Sequence, residues 1–132
     1  MKDLLESAKA AQANAYAPSS GFRVGASIRT ARGEIYSGCN IENAAYPEGV
    51  CAEGAAIAAM VTAGEREIAE VLVIGSGDAA CSPCGGCRQK LGEFSRKDTA
   101  VHMCNAAGER TTLSLGELLP HAFDTDSLDT SK

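Results

Sequence analysis

The sequence is short of positive charge, histidine and long apolar stretches, and these shortages exclude several classes of function. Its 132 residues carry 12 lysines and arginines against 17 aspartates and glutamates, which gives a net charge of −5 at pH 7. Because the basic residues are also scattered, we expect no general nucleic-acid-binding face. No apolar run reaches the roughly 20 residues that a membrane-spanning helix needs. We therefore expect no nucleic-acid partner and no membrane partner.

The N-terminus does not have the pattern of a secretory signal peptide, because Lys2, Asp3 and Glu6 interrupt it and no cleavage-like segment follows. We expect a cytoplasmic protein. Its six cysteines are then read as thiols, metal ligands or core residues, since cytosolic disulfides are rare. Length predicts a single domain, over residues 1–123, and the polar segment 124–132 is expected to be a flexible tail.

Hydrophobic patterning predicts the element order α-β-β-α-β-α-β-β, a layered α/β domain with a central mixed sheet of five strands. The alanine-rich second helix is apolar nearly all round and should be buried. The continuous run Val71–Ile74 suits a central strand covered on both faces. In chain order, the predicted segments are a helix over 2–16, a hairpin of strands over 22–30 and 34–39, a helix over 52–63, a strand over 71–74, a helix over 84–94, and strands over 100–104 and 110–115.

Three cysteines have the spacing of metal ligands. Cys84 and Cys87 have two residues between them and stand at the predicted start of a helix, where free backbone N–H groups favour thiolates. A lone C-x-x-C is ambiguous among a redox pair, half of a structural zinc site and chance. Cys51 also stands at a predicted helix start, so two converging helix N-termini would bring three thiolates together. Three protein ligands leave the fourth position of zinc open, which is the catalytic pattern.

Glu53 lies two residues beyond Cys51, inside an otherwise apolar helix start. Taken alone, it would be an ordinary acidic residue in a first helical turn, where the helix dipole favours negative charge. Beside an open zinc site, a carboxylate can take a proton from water and pass it to a substrate. The preceding loop, residues 40–50, is rich in hydrogen-bonding side chains and leads directly to Cys51.

These residues resemble the zinc-dependent cytidine deaminases, of the short-chain type with three cysteine ligands. The resemblance covers about residues 4–123, since several spaced motifs agree in order. The matching segments are CAE at 51–53, PCGGCRQ at 83–89, AYAPSSGFRVGA at 15–26, GCNIENAAY at 38–46 and ELLPHAF at 117–123.

The resemblance implies a three-layer α/β/α catalytic domain that holds one Zn²⁺ per chain and converts cytidine or deoxycytidine to the uracil nucleoside and ammonia. Glu53 would carry protons to ring N3 and to the leaving amino group. The chain would act as a homo-oligomer, a tetramer with sites at the subunit interfaces. The implied roles are zinc ligation by Cys51, Cys84 and Cys87; ribose binding by Asn40 and Glu42; contact of the Ala52 N–H with the base carbonyl; packing on the base by Phe22; closure of the pocket by Phe123 of a neighbouring subunit; and contact with the 5′-hydroxyl end by Ala44 and Tyr46.

Two positions depart from that family's pattern. Gly54 stands where many relatives have an arginine, and Ser19 where they often have an aromatic residue. Three thiolates and one Zn²⁺ leave a net negative charge, which a nearby cation would offset. We predict that Arg88 and the two helix N-termini supply that compensation.

Three alternatives remain open on the sequence alone. A deaminase of a modified cytosine nucleoside or of a blasticidin-type substrate would keep the zinc site, although the Asn40–Glu42 pair favours a nucleoside. A structural zinc module would need a fourth ligand and no Glu53, and a thiol redox protein would hold no zinc. The remaining cysteines and histidines are expected to be structural, namely Cys39, Cys81, Cys104, His102 and His121.

Overall fold

The computed structural model describes residues 1–128 and has its helices and strands in the predicted order. The helices are α1 (Lys2–Gln12), α2 (Ala52–Thr62), α3 (Gly85–Phe94), α4 (Leu115–Leu118) and α5 (Thr125–Leu128), with a 3-10 turn at Tyr46–Glu48. The strands are β1 (Val24–Thr30), β2 (Ile35–Cys39), β3 (Ile68–Gly75), β4 (Ala100–Cys104) and β5 (Arg110–Ser114).

The five strands form one mixed sheet in the order β2-β1-β3-β4-β5. Strands β3 and β4 pair in parallel, and the other neighbours pair antiparallel. The central position of β3 explains its continuous apolar run, because Val71–Ile74 are buried alternately against both faces. The predicted mixed five-stranded sheet is confirmed.

Helices cover both faces of the sheet, which confirms the predicted three-layer α/β/α architecture. On one face, Leu4 and Ala8 of α1 pack with Leu72 and Ile74. On the other face, α2, α3 and α4 pack over alternate residues of β1, β3 and β4 in a larger core that includes Met60. Both N-termini that carry the cysteine motifs therefore belong to the same layer.

Two glycines in the hairpin allow the helices to lie very close to the sheet. At Gly25, a Cβ would stand 2.0 Å from the carbonyl oxygen of Ala8 in α1. At Gly38, it would stand 2.6 Å from the Cβ of Ala55 in α2. Contacts this short admit no side chain, so glycine at these positions sets the height of both helices above β1 and β2.

Helix α2 differs from its prediction, because it is not buried all round. Ala52, Ala56 and Met60 are fully buried, whereas Ala58 and Ala59 are exposed. The helix has one face on the sheet, and within residues 1–128 no second layer covers the other face. Alanine is small enough that this exposure leaves little apolar surface in water.

Other boundaries shift by a few residues. Helix α1 ends at Gln12 rather than at residue 16, because Tyr16 is drawn into an isolated bridge with Ile41.

No helix within residues 1–128 combines the length and apolar character needed to cross a membrane. Of the tail predicted over 124–132, residues 129–132 lie outside the described residues, and Thr125–Leu128 form a short helix. The limits of the domain and the flexibility of the tail stay predictions.

Candidate active site

The N-termini of α2 and α3 bring three cysteines together. Cys51 is the N-cap residue of α2, Cys84 is the N-cap residue of α3, and Cys87 is the third residue of α3. Their three Sγ atoms lie within 4.8 Å of one another. The convergence expected from two cysteine-bearing helix starts is therefore present, and Pro83 directly precedes the N-cap residue of α3.

Three sulfur atoms so close together form a donor set that fits a soft divalent cation such as zinc. The pKa of Cys84 is lowered, chiefly because the backbone N–H of Cys87 donates to its sulfur. Burial raises the pKa of Cys51, and burial together with the charges of Glu53 and Cys51 raises the pKa of Cys87. Thiolates this close together repel one another, and a bound cation would offset that repulsion, so the cluster suits a metal ion.

Glu53 is the second residue of α2 and only 4% of its surface is exposed. Burial raises the pKa of its carboxyl group, while its own backbone N–H, Cys87 and the positive charge of Lys90 oppose that rise. It lines the same cavity as Cys51 and Cys84. A buried carboxyl group with a raised pKa, beside a metal-ligand cluster, is suited to accept and release a proton.

Arg88 and Lys90 are cations that lie near the N-termini of α2 and α3. Arg88 donates from Nε to the Pro83 carbonyl (2.9 Å), from Nη1 to the Leu118 carbonyl (3.0 Å) and from Nη2 to Ser82 Oγ (2.8 Å). Its guanidinium thus fastens the loop before α3 to the end of α4. Compensation of the thiolate charge by Arg88 stays a prediction. Beside Gly54, the Nζ atom of Lys90 lies 3.5 Å from the point that a Cβ would occupy.

A cavity of about 470 Å³ opens in front of the cysteines and Glu53, a size suited to a small molecule. It contains eight of the twelve predicted site residues. Those eight are Phe22, Asn40, Glu42, Tyr46, Cys51, Ala52, Glu53 and Cys84. The cavity is also lined by residues that sequence reasoning had not assigned to it, namely Val24, Ile41, Asn43, Gly49, Val50, Cys81 and Ser82.

Asn40 and Glu42 stand side by side in the cavity wall and are both held by backbone groups. Asn40 accepts the N–H of Val24 at Oδ1 (2.9 Å) and donates from Nδ2 to the carbonyl of Phe22 (2.8 Å). Hydrogen bonds from the Ser20 hydroxyl and from the N–H groups of Ser19 and Ser20 lower the pKa of the Glu42 carboxyl. This wall therefore presents fixed polar groups to the cavity.

Four predicted residues do not line this cavity. Cys87 is buried, and Arg88 donates to the Leu118 carbonyl of α4 as described. Ala44 is exposed on the loop. Phe123 is 58% exposed and lies in a separate hollow, where its carbonyl accepts a hydrogen bond from Nε2 of Gln89 (2.7 Å). Within one chain, Phe123 does not close the pocket.

The remaining cysteines and histidines lie outside the three-sulfur group, as expected. Cys81 lines the cavity, but burial raises its pKa to about 11 and it does not belong to the metal-ligand cluster found among the described residues. Cys104 is buried against α1. His102 contacts Thr112 Oγ1 and the Glu70 carboxylate, each at 2.8 Å, on the surface of the sheet.

Sequence reasoning missed Ser20, whose hydroxyl contacts Glu42. A serine in a Pro-Ser-Ser-Gly turn has the composition of any surface turn, so nothing local singled it out. Only the folded chain brings the two segments together.

Comparison with known proteins agrees with this geometry. Residues 1–103 match the family model described as the cytidine and deoxycytidylate deaminase zinc-binding region. The cytidine deaminase of Sporosarcina psychrophila is 38% identical over 128 residues, covering 97% of this chain and 94% of that protein. The cytidine deaminase of Mycobacterium tuberculosis is 40% identical over 119 residues, covering 89% of this chain and 85% of that protein.

Solved structures show the same relationship. The crystal structure of cytidine deaminase from Burkholderia pseudomallei superposes with a TM-score of 0.88 at 41% identity, covering 92% of this chain and 98% of that one. The Mycobacterium tuberculosis structure gives a TM-score of 0.81 at 33% identity, covering 92% and 95%. With its three clustered cysteines, its buried glutamate and its fold, the chain belongs to the zinc-binding cytidine and deoxycytidylate deaminase family.

Proposed function

We propose that this protein deaminates cytidine and deoxycytidine by hydrolysis, giving uridine and deoxyuridine with release of ammonia. One observation carries the proposal: the Sγ atoms of Cys51, Cys84 and Cys87 lie within 4.8 Å of one another, and the buried carboxyl group of Glu53 lines the cavity in front of them. A bound zinc ion supplies Lewis-acid chemistry there, because it makes a water molecule acidic near neutral pH.

Glu53 is the residue that moves protons. Its carboxylate takes a proton from the attacking water and delivers it to N3 of the cytosine ring, which makes C4 more electrophilic. After water has added at C4, the same carboxyl group transfers the second proton of that water to the amino group. Ammonia then leaves and the uracil carbonyl forms, so water is consumed and one ammonia is released. Burial suits Glu53 to this exchange, because it raises the pKa of the carboxyl group above its ordinary value and so makes the protonated form easier to reach.

The rest of the cavity orients the nucleoside. Asn40 and Glu42 offer polar groups that suit the ribose hydroxyls, and Phe22 offers a ring face to the base. Ala52 is the first residue of α2, so its N–H has no partner inside the helix and can donate to the base carbonyl. Ala44 and Tyr46 would serve the 5′-hydroxyl end. Fixing the substrate in this way can supply a large part of the rate enhancement.

We also propose that the chain works as a homotetramer in the cytoplasm, in pyrimidine salvage. Large apolar side chains are exposed around the mouth of the cavity, including Phe22, Ile41, Val50 and Tyr46, the last with 81% of its surface exposed. Phe123 is exposed too and would complete the pocket of a neighbouring subunit. A surface of this kind favours association between copies.

The test is to measure zinc per chain and then follow ultraviolet absorbance and ammonia while cytidine and deoxycytidine are offered. We expect one zinc per chain and turnover of both nucleosides. Cys51→Ser should lose both, whereas Cys39→Ser, at a half-buried position in β2 that does not line the cavity, should keep both. One zinc per chain without ammonia from any cytosine nucleoside would show that the site is structural.

A further inference from the structure

The carboxylate of Glu42 is already held in place by the loop that precedes β1. Its Oε1 atom accepts the backbone N–H groups of Ser19 (2.8 Å) and Ser20 (3.2 Å). Its Oε2 atom accepts the hydroxyl of Ser20. Because an ionised carboxylate can only accept, the single hydroxyl proton of Ser20 must point toward Glu42.

The same hydroxyl holds a second residue of the cavity. The oxygen of Ser20 accepts the backbone N–H of Phe22 at 3.0 Å, while the carbonyl of Phe22 accepts Nδ2 of Asn40 at 2.8 Å. Both backbone groups of Phe22 are thus tied to the polar wall of the cavity. Ser20 therefore connects the carboxylate of Glu42 to the backbone that carries the Phe22 ring.

These hydrogen bonds leave few polar positions open. Each carboxylate oxygen has two acceptor sites, so Glu42 keeps one, on Oε2. Asn40 keeps one N–H on Nδ2 and one acceptor site on Oδ1. A pair of neighbouring sugar hydroxyls, each able to donate and accept, matches this small set.

We propose that Ser20 is a positioning residue that fixes Glu42 and Phe22 as one unit, so that recognition of the sugar hydroxyls and placement of the base are coupled. This inference rests on the proposed function. The direction of the Glu42 pKa shift agrees with it, because hydrogen bonds to the charged form keep the carboxylate ionised and acceptor-only. A hydrogen-bond acceptor that is already fixed binds a ligand more tightly, because its side chain loses less conformational freedom on binding.

The loop does not depend on Ser20 for its path. Backbone hydrogen bonds from Tyr16 N to Asn40 O (3.0 Å) and from Glu42 N to Tyr16 O (2.8 Å) tie the two segments together. The turn itself closes through Gly21 N to Ala17 O (2.9 Å), with Gly21 at φ +69°. Ser20→Ala should therefore fold and remove only the side-chain link.

The experiment compares cytidine with 2′,3′-dideoxycytidine, which lacks both hydroxyls of the sugar ring. Ser20→Ala should lower kcat/KM for cytidine by about tenfold or more, mainly through KM, as for loss of a hydrogen bond to a charged group. For dideoxycytidine the loss should be much smaller, because Glu42 has no hydroxyl to bind. Ser20→Thr retains the hydroxyl and should restore most of the preference for cytidine.

Ser76→Ala is the matched control. The Ser76 hydroxyl accepts the N–H of Arg23 at 3.1 Å, so it anchors the same loop without touching Glu42. Any loss of kcat/KM in this variant should be equal for the two substrates.

In a Glu42→Gln background, Ser20→Ala should not further change the ratio of kcat/KM between cytidine and dideoxycytidine. Equal losses of both substrates on Ser20→Ala, or no loss, would show that Ser20 does not act through Glu42 and would overturn the proposed coupling.

A titration that needs no turnover separates this inference from the proposed function. With carbon-13 label in the glutamate side chains, the Glu42 carboxyl of Ser20→Ala should titrate at higher pH than in the unaltered protein. An unchanged pKa would show that Ser20 does not hold the carboxylate. If the unaltered protein deaminates no cytosine nucleoside, the proposed function fails, and with it the sugar-recognition role, even where the titration confirms the contact.

Discussion

Two carboxylates line the same cavity, and their surroundings push them in opposite directions. Glu53 lies at the buried end beside the cysteines, where loss of solvent raises its pKa. Glu42 lies at the open end, where Ser20 and two backbone N–H groups lower its pKa. The same type of side chain is thus suited to two different roles. One can gain and lose protons, and the other stays ionised as a fixed acceptor.

The difference comes from the elements that carry them. Glu53 is in the first turn of a helix pressed against the sheet, so its environment is apolar and water is largely excluded. Glu42 follows a strand end and faces a turn whose backbone N–H groups point at it. The buried helix start beside the metal-ligand cluster suits Glu53 to proton transfer. The loop, whose backbone N–H groups hold Glu42, suits that carboxylate to substrate binding.

The largest effect is expected when Glu53 loses its ability to carry a proton. Glu53→Gln keeps the size of the side chain, and we expect kcat to fall by about 10²- to 10⁴-fold, as for loss of a general acid–base group. Zinc content should not change, because Glu53 does not belong to the ligand cluster. Steady-state kinetics with metal analysis checks this, and Glu6→Gln on the exposed side of α1 is the control. Near-normal kcat in the zinc-loaded variant would refute the proton-transfer role.

A smaller effect, of another kind, is expected at Glu42. Glu42→Gln removes the charge but keeps the shape, so KM for cytidine should rise by about tenfold while kcat changes little, in line with loss of a charge-assisted hydrogen bond. Initial rates over a range of cytidine concentrations separate the two parameters. If kcat fell as far as in Glu53→Gln, the two carboxylates could not have separate roles.

The contribution of Glu42 to the stability of the fold should depend on pH. The folded-state pKa of Glu42 lies below its ordinary value of 4.5. Its contribution to stability is therefore fully present above that value and is lost as pH falls through the folded-state pKa. Thermal unfolding of the unaltered protein and of Glu42→Gln should differ slightly at pH 6–7, and the difference should disappear in strong acid. A difference that grows as pH falls would contradict the sign of this shift.

The smallest effect is expected at Gly54, next to Glu53. The nearest atoms to a Cβ there would belong to Lys90 and Val50, at 3.5 Å or more, which is ordinary van der Waals contact. Gly54→Ala should therefore stabilise α2 by about 0.5–1 kcal/mol and leave kcat and KM unchanged. Gly38→Ala is the contrasting variant, because its Cβ would stand 2.6 Å from Ala55, and it should destabilise the fold by about 1–3 kcal/mol. Denaturant unfolding of both variants measures this, and a loss of stability in Gly54→Ala would show that the space beside Glu53 is tighter than it looks.

Much of this architecture is predictable from the sequence, because its signals are local. The apolar run Val71–Ile74 identifies the central strand, and cysteines at two helix starts predict the cluster at the N-termini of α2 and α3. The family resemblance adds the roles of Asn40 and Glu42, which no spacing rule would give.

The rest depends on how distant segments meet. The contact of Ser20 with Glu42 joins residues 22 positions apart through the bridge between Tyr16 and Ile41. The nearness of Lys90 to Gly54 depends on how α2 and α3 pack. The exposed side of α2 was missed because an apolar pattern does not say how many layers cover a helix.

The most direct test of the division between the two carboxylates is equilibrium binding of cytidine to zinc-loaded Glu53→Gln, where slow turnover leaves the substrate intact during titration. We predict a Kd close to the KM of the unaltered protein, and binding about tenfold weaker when Glu42→Gln is added, since a hydrogen bond to a charged group is lost. Equal Kd values for the single and double variants, or no binding of cytidine by zinc-loaded Glu53→Gln, would contradict it.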